Sequence, residues 1–154
     1  MIKTIGIGTL SILAGFVLLA INQLSHAQTT QPLALQGYDT VSYFEVGRAE
    51  EGVDDISHVW NGKRWLFTNE RHRDLFAASP ESYAPAYEGL CAWAVSKGYL
   101  QSAIPTAWTV EDGRLFLNYS QGVKGQWETR KRANIRAGDR RWPSLKNAAT
   151  RFGL

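Results

Sequence analysis

Three side chains in this sequence could hold a soft metal ion or attack a substrate: His58, His72 and the only cysteine, Cys91. A thiolate joined by two imidazoles is a donor set that suits Cu or Zn. No Cys-x-x-Cys or His-Glu-x-x-His spacing links them, so the fold itself would have to gather such a site. The same residues could instead do thiol chemistry, with Cys91 as nucleophile, His58 or His72 as base and Asp39 orienting that base. Each also has a plain structural role to fill. His58 falls on a strand with one exposed face, His72 lies near a helix cap, and free cysteine packs as a small hydrophobe. Leu90 and Ala92 through Val95 make the most apolar short run downstream of residue 28, so Cys91 is expected to be largely buried.

These residues need elements to position them. Residues 57–60 and 63–67 flank Asn61-Gly62, a strong hairpin signal, because a two-residue type I′ turn requires positive φ at both positions. Residues 108–110 and 114–118 flank Asp112-Gly113 in the same way. Ahead of the first hairpin, 41–44 alternates as a short strand, and the acidic stretch 45–55 reads as an exposed loop. Asn69 fits a helix N-cap, and its helix runs to about Ser79, where Pro80 stops it. The stretch from Leu75 to Trp93, with Pro80, Pro85, Tyr83 and Tyr87, reads as bent and packed. The period of residues 91–97 does not separate helix from strand. Ser120 caps a helical segment carrying Val123 and Trp127, four residues apart. A further helix is expected over 132–141, then Pro143 and a short last helix to about Arg151. Hairpins first and helices last predict a small single α+β domain. In it the two hairpins form a short antiparallel sheet packed with several short helices, and the C-terminal part is helical. No internal repeat is visible.

Residues 1–27 read as a secretory signal peptide: Lys3, an apolar run from Ile5 to Ile21, and Ser25-His26-Ala27 as a small-x-small cleavage site. The alternative is an uncleaved N-terminal membrane anchor, since the run is close to spanning length. Cleavage would leave a polar, disordered linker over 28–34, a domain over 35–146 and a tail over 147–154, with no integral membrane span. One cysteine allows no internal disulfide, so stability must come from a core rich in the six Trp, six Tyr and six Phe. Basic residues crowd the chain from Lys124 onward. In an exported protein nucleic acid is an improbable partner for them, and a solvated helical face is the expected reading.

The sequence resembles the exported, single-domain bacterial type of the YHS-domain family. The motifs that carry the resemblance are Gly37-Tyr-Asp-Thr-Val-Ser-Tyr-Phe44, Trp60-Asn-Gly-Lys-Arg-Trp-Leu-Phe67, Phe76 with Pro80-Glu-Ser-Tyr-Ala-Pro-Ala-Tyr87, Gly89-Leu-Cys-Ala-Trp-Ala94, Trp108 through Asn118, and Trp142-Pro143. Thr40, Glu88, Leu90 and Phe116 depart from the usual pattern. The wider family is associated with heavy-metal handling through cysteines near the first strand and around the helix after the hairpin. Here those places hold Ser42, Thr68 and His72. The resemblance implies a periplasmic or secreted, non-enzymatic binding or accessory module. Its expected ligand is a transition-metal ion such as Cu or Zn, or a metal-bearing small molecule, near Cys91 with His58 and His72. The alternatives are a thiol-dependent enzyme using Cys91 and a purely structural or protein-interaction domain. Some of the six tryptophans (60, 65, 93, 108, 127 and 142) could also form a platform for a glycan, lipid or quinone.

Overall fold

Asn-Gly and Asp-Gly tips tolerate positive φ, and both are used for it. In the computed structural model, which describes residues 31–152, Asn61 and Gly62 sit at φ 50° and 71°, and Asp112 and Gly113 at 49° and 70°. They close two antiparallel hairpins, β1 (Val53–Trp60) with β2 (Lys63–Phe67), and β3 (Ile104–Glu111) with β4 (Arg114–Asn118). Each hairpin is its own two-stranded sheet, so the expected single sheet is two. The reason is that each hairpin covers its own helix. Phe76 of α2 (Glu70–Ala78) packs on Trp65, and Trp127 of α5 (Gln121–Glu128) packs on Phe116. The domain is α+β.

Several local expectations are corrected. Residues 41–44 form no strand; Ser42–Glu45 is a helical turn, α1. The Asp39 carboxylate takes the N–H groups of Val41 and Ser42, which holds the backbone in a turn that strand alternation cannot reveal. The stretch 45–55 is not all loop, because β1 begins at Val53. Pro80 ends α2 and then opens α3 (Pro80–Tyr83) from its first turn, where a missing N–H costs nothing. Cys91 precedes a short helix, α4 (Ala92–Lys97), which ends on Gly98 at φ 94°. The last two expected helices are one, α6 (Lys131–Phe152), with Pro143 inside it. A proline there costs about 3 kcal/mol, and the packing of Ile135, Trp142 and Leu145 on the core offsets it. The 28–34 stretch is not all linker either. Pro32 accepts from Arg64 N at 2.9 Å, Leu33 bridges to Arg64, and Ala34 is buried. The predicted leader over 1–27 lies outside the described residues. Among those described, no helix is long and apolar enough to cross a membrane.

An internal repeat, not visible in the sequence, organises the fold. Ala34–Gly37 and Ala86–Gly89 are the same tight turn, with Leu35 and Gln36 at φ 48° and 56° matching Tyr87 and Glu88 at 56° and 55°. Two residues past each turn glycine, Asp39 N donates to Glu50 O, and Cys91 N donates to Gln101 O. A short helix follows in each case. The ladders then agree partner for partner: Val53–Phe67 with Ile104–Asn118, a shared irregularity, then Ser57–Leu66 with Trp108–Leu117 and Trp60–Lys63 with Glu111–Arg114. Asn69 and Ser120 cap the helices that end the two halves. The described residues are a duplicated unit followed by α6, which is held by the Tyr87–Asp139–Arg114 cluster.

Candidate functional site

The duplication creates two equivalent places, one in each half, at the residue two past the turn glycine. In the first half that residue is Asp39, fully buried. Its Oδ1 accepts from Val41 N and Ser42 N at 2.9 and 3.3 Å. Its Oδ2 accepts from Thr68 N at 2.9 Å, from Thr68 Oγ1 at 2.8 Å and from His72 Nδ1 at 2.6 Å. Because Oδ2 is the acceptor, Nδ1 of His72 carries the hydrogen. Of Ser42, Thr68 and His72, where the resemblance would place thiolates, the Thr68 and His72 side chains converge on the Asp39 carboxylate, while the Ser42 hydroxyl donates to the backbone carbonyls of Asp39 and Arg48. Burying so many polar groups is tolerable because each is paired.

In the second half the corresponding residue is Cys91, 1% exposed, as expected for the apolar run around it. Tyr119 N donates to its Sγ at 3.3 Å, the counterpart of Thr68 N on Asp39. Asn118 Oδ1 lies 3.8 Å from the sulfur and accepts from Trp93 N at 3.1 Å. That N–H corresponds to Val41 N, so the helix-capping duty of the Asp39 carboxylate has passed to Asn118. The amide nitrogen of Asn118 is buried without a hydrogen-bond partner. Above the thiol the two halves part. A cavity of 160 Å³, lined by Cys91, Trp93, Ala94, Tyr99, Gln101, Tyr119 and Val123, opens to solvent there. Tyr99 and Tyr119 are each about half exposed at its rim, and the Lys97 ammonium lies 4.1 Å from the Trp93 ring. In the first half, the imidazole of His72 stands against Asp39 instead.

The predicted donor set is not gathered. His58 is half-buried on β1 opposite Trp65, its ring edge-on to Phe76 with centroids 6.0 Å apart. His72 belongs to Asp39, and the polar neighbours of Cys91 are Asn118 and Tyr119. Among the described residues no group of three or more His, Cys, Asp and Glu could hold a metal ion. The expected Asp39–His pairing does form, but without the nucleophile. The tryptophans divide: Trp65 and Trp127 are core, Trp93 lines the Cys91 cavity, and Trp60 and Trp65 wall a second cavity of 140 Å³ with Lys63, Leu35 and Lys146. Asn118, Tyr119 and Val123 were not among the sequence candidates. The two Ala-x-x-Gly turns, each followed two residues later by Asp39 or Cys91, were the signal that could have led to them.

Burial pushes the Tyr43 and Tyr87 phenols well above the usual tyrosine range, so neither is a ready base. The Arg114 guanidinium, with the Tyr87 hydroxyl beside it, holds Asp139 below the ordinary carboxylate value. The Tyr87 and Asp139 shifts belong to the anchoring of α6, whereas the Tyr43 hydroxyl is buried in the core and donates to Pro105 O. Compared with known proteins, the chain matches no family model, no curated protein and no solved structure.

Proposed function

We propose that this chain is an exported binding module of the YHS-domain type, which carries out no reaction of its own and holds a small ligand over Cys91. The observation that carries this reading is the open cavity above the thiol, at a place the first half keeps filled with its own His72. Aromatic faces at its wall and rim, Trp93, Tyr99 and Tyr119, suit the flat or apolar part of a ligand. Cys91 is the one soft donor lining it. A Cu or Zn ion bound there brings its remaining ligands with it, as a metal-bearing small molecule, because one thiolate does not fill a coordination shell.

The enzymatic alternative draws less support. A thiol nucleophile needs a base within hydrogen-bond reach, and the groups bonded to the Cys91 sulfur are Asn118 Oδ1 and Tyr119 N, neither of them a base. Export to the periplasm or beyond rests on the features of residues 1–27 in the sequence.

Native mass spectrometry of the protein purified from its own compartment tests the proposal. The expected result is an adduct on the wild-type chain that is absent from Cys91→Ala. A ligand-free mass for both chains contradicts it. N-terminal sequencing of the same sample is expected to begin at Gln28, whereas a start at Met1 with membrane pelleting favours the anchored alternative.

A further inference from the structure

The first half supplies an internal template for what fills the cavity in the second. His72 is the third residue of α2, and its N–H is capped by Asn69 Oδ1 at 2.9 Å. Val123 is the third residue of α5, and its N–H is capped by Ser120 Oγ at 3.2 Å. The two side chains therefore leave equivalent backbone positions toward equivalent neighbours, Asp39 and Cys91. His72 reaches its neighbour, with Nδ1 2.6 Å from the carboxylate. Val123 ends at its methyl groups, and it lines the cavity together with Cys91. The outer wall differs in the same sense. Arg48 and Glu50 form an ion pair at 2.6 Å in the first half, where the second has Tyr99 and Gln101 at the open rim.

Resting on the reading that this cavity is a ligand site, we propose that it receives a planar imidazole-type ring in the place that the His72 ring occupies in the first half. The chemistry of the lining fits such a ring. The Cys91 thiol donates to Asn118 Oδ1 at 3.8 Å and accepts from Tyr119 N at 3.3 Å, and its sulfur has a further lone pair that can accept from a ring N–H. Trp93 and Tyr119 offer aromatic faces for stacking. Imidazole is also the commonest nitrogen ligand of Cu and Zn, so a metal delivered on an imidazole ligand meets Cys91 in the same geometry. The wild-type cavity is thus a histidine-shaped vacancy, and Val123 is the residue that determines it.

The test is a titration of metal-free protein with imidazole, followed by the backbone amide signals of Tyr119 and Trp93 in a nitrogen–proton correlation spectrum. Both signals are expected to shift and saturate. Val123→His places the chain's own ring in the cavity and should weaken imidazole binding about tenfold or more, or roughly 1.4 kcal/mol, while Val123→Thr, equal in size, keeps it. The spectrum of each variant reports its folding directly. If Val123→His fails to fold, the wild type and Val123→Thr still decide the matter. A Gly-His-Gly peptide arm separates sources: shifts equal to those from imidazole assign a histidyl group, and shifts from imidazole alone assign a free heterocycle. No saturable shift in the wild type, or undiminished binding by a folded Val123→His, overturns the inference. If imidazole fails while zinc glycinate still moves both amides, the ring assignment falls and the cavity remains a ligand site. If neither probe moves them, both readings fall.

Discussion

Asp39 and Cys91 hold the same place in the two halves of the chain. Thr68 N donates to Asp39 Oδ2 at 2.9 Å, and Tyr119 N donates to Cys91 Sγ at 3.3 Å. One position accordingly carries two chemistries: a carboxylate knotted into its surroundings, and a thiol beneath an open cavity. The difference sets the costs of changing each.

Asp39→Asn should destabilise the domain by about 3–5 kcal/mol, the usual penalty for breaking a buried, fully paired carboxylate site. The amide that replaces one oxygen cannot accept from the Thr68 and Val41 sides at once. Cys91→Ala should cost only about 1 kcal/mol, through loss of a small buried group. Urea unfolding of the two variants checks the ranking, and equal losses would mean that the halves are not used differently.

Gly62→Val should cost about 1–2 kcal/mol. The position is at φ 71° and a Cβ there would touch nothing, so the whole penalty is backbone strain. An unchanged unfolding midpoint would place the hairpin tip elsewhere.

Gly138→Ala tests the anchoring of α6. In an open helix the change would stabilise by up to about 1 kcal/mol. Here the new Cβ would lie 2.5 Å from the Tyr87 hydroxyl and 2.9 Å from its Cζ. Tyr87 cannot swing aside easily, being buried and bonded to Asp139 at 2.9 Å. A net loss of about 1–3 kcal/mol is expected. Tyr87→Phe in the same chain should recover part of it, because the nearest atom is gone while the ring remains. A double-mutant cycle measures that coupling.

Acid should loosen the same anchor. Asp139 titrates below its ordinary value in the folded state, through Arg114 first and Tyr87 after it. Its contribution is therefore present above the unfolded carboxylate pKa and is lost as pH falls through the lower, folded one. The pair is partly exposed and screened, so the effect is about 0.2–1 kcal/mol. Asp139→Asn should remove that part of the acid dependence below about pH 4, which thermal unfolding at stepped pH would detect.

Local chemistry made much of the fold legible. Asn61-Gly62, Asp112-Gly113, Asn69 and Ser120 each satisfy a rule that operates within a few residues, and each lies where that rule puts it. What escaped depended on a side-chain-to-backbone turn that strand alternation masks, or on distant packing partners. Ser42–Glu45 became helical because Asp39 caps it, and α6 runs through Pro143 because Trp142 and Leu145 are packed. The repeat was hidden because its halves keep the backbone and exchange the side chains. Asn118 takes the place of Phe67 and Val123 that of His72, and few identities such as Gly37 with Gly89 and Leu66 with Leu117 survive. Cys91 was a visible candidate, and its burial followed from its neighbours. The cavity above it was not readable, since it exists only by comparison with the ring that closes the other half.

The account stands on Cys91 being the floor of a usable cavity, and the alkylation of that thiol in the native protein measures this most directly. Iodoacetamide at neutral pH should modify Cys91 faster than the domain unfolds, entering between Tyr99 and Tyr119. Added Cu or Zn should slow the reaction severalfold by occupying the same space, with hydrogen exchange of the core supplying the unfolding rate. A thiol that reacts only at the global unfolding rate, indifferent to either metal, would contradict the account and leave Cys91 as packing alone.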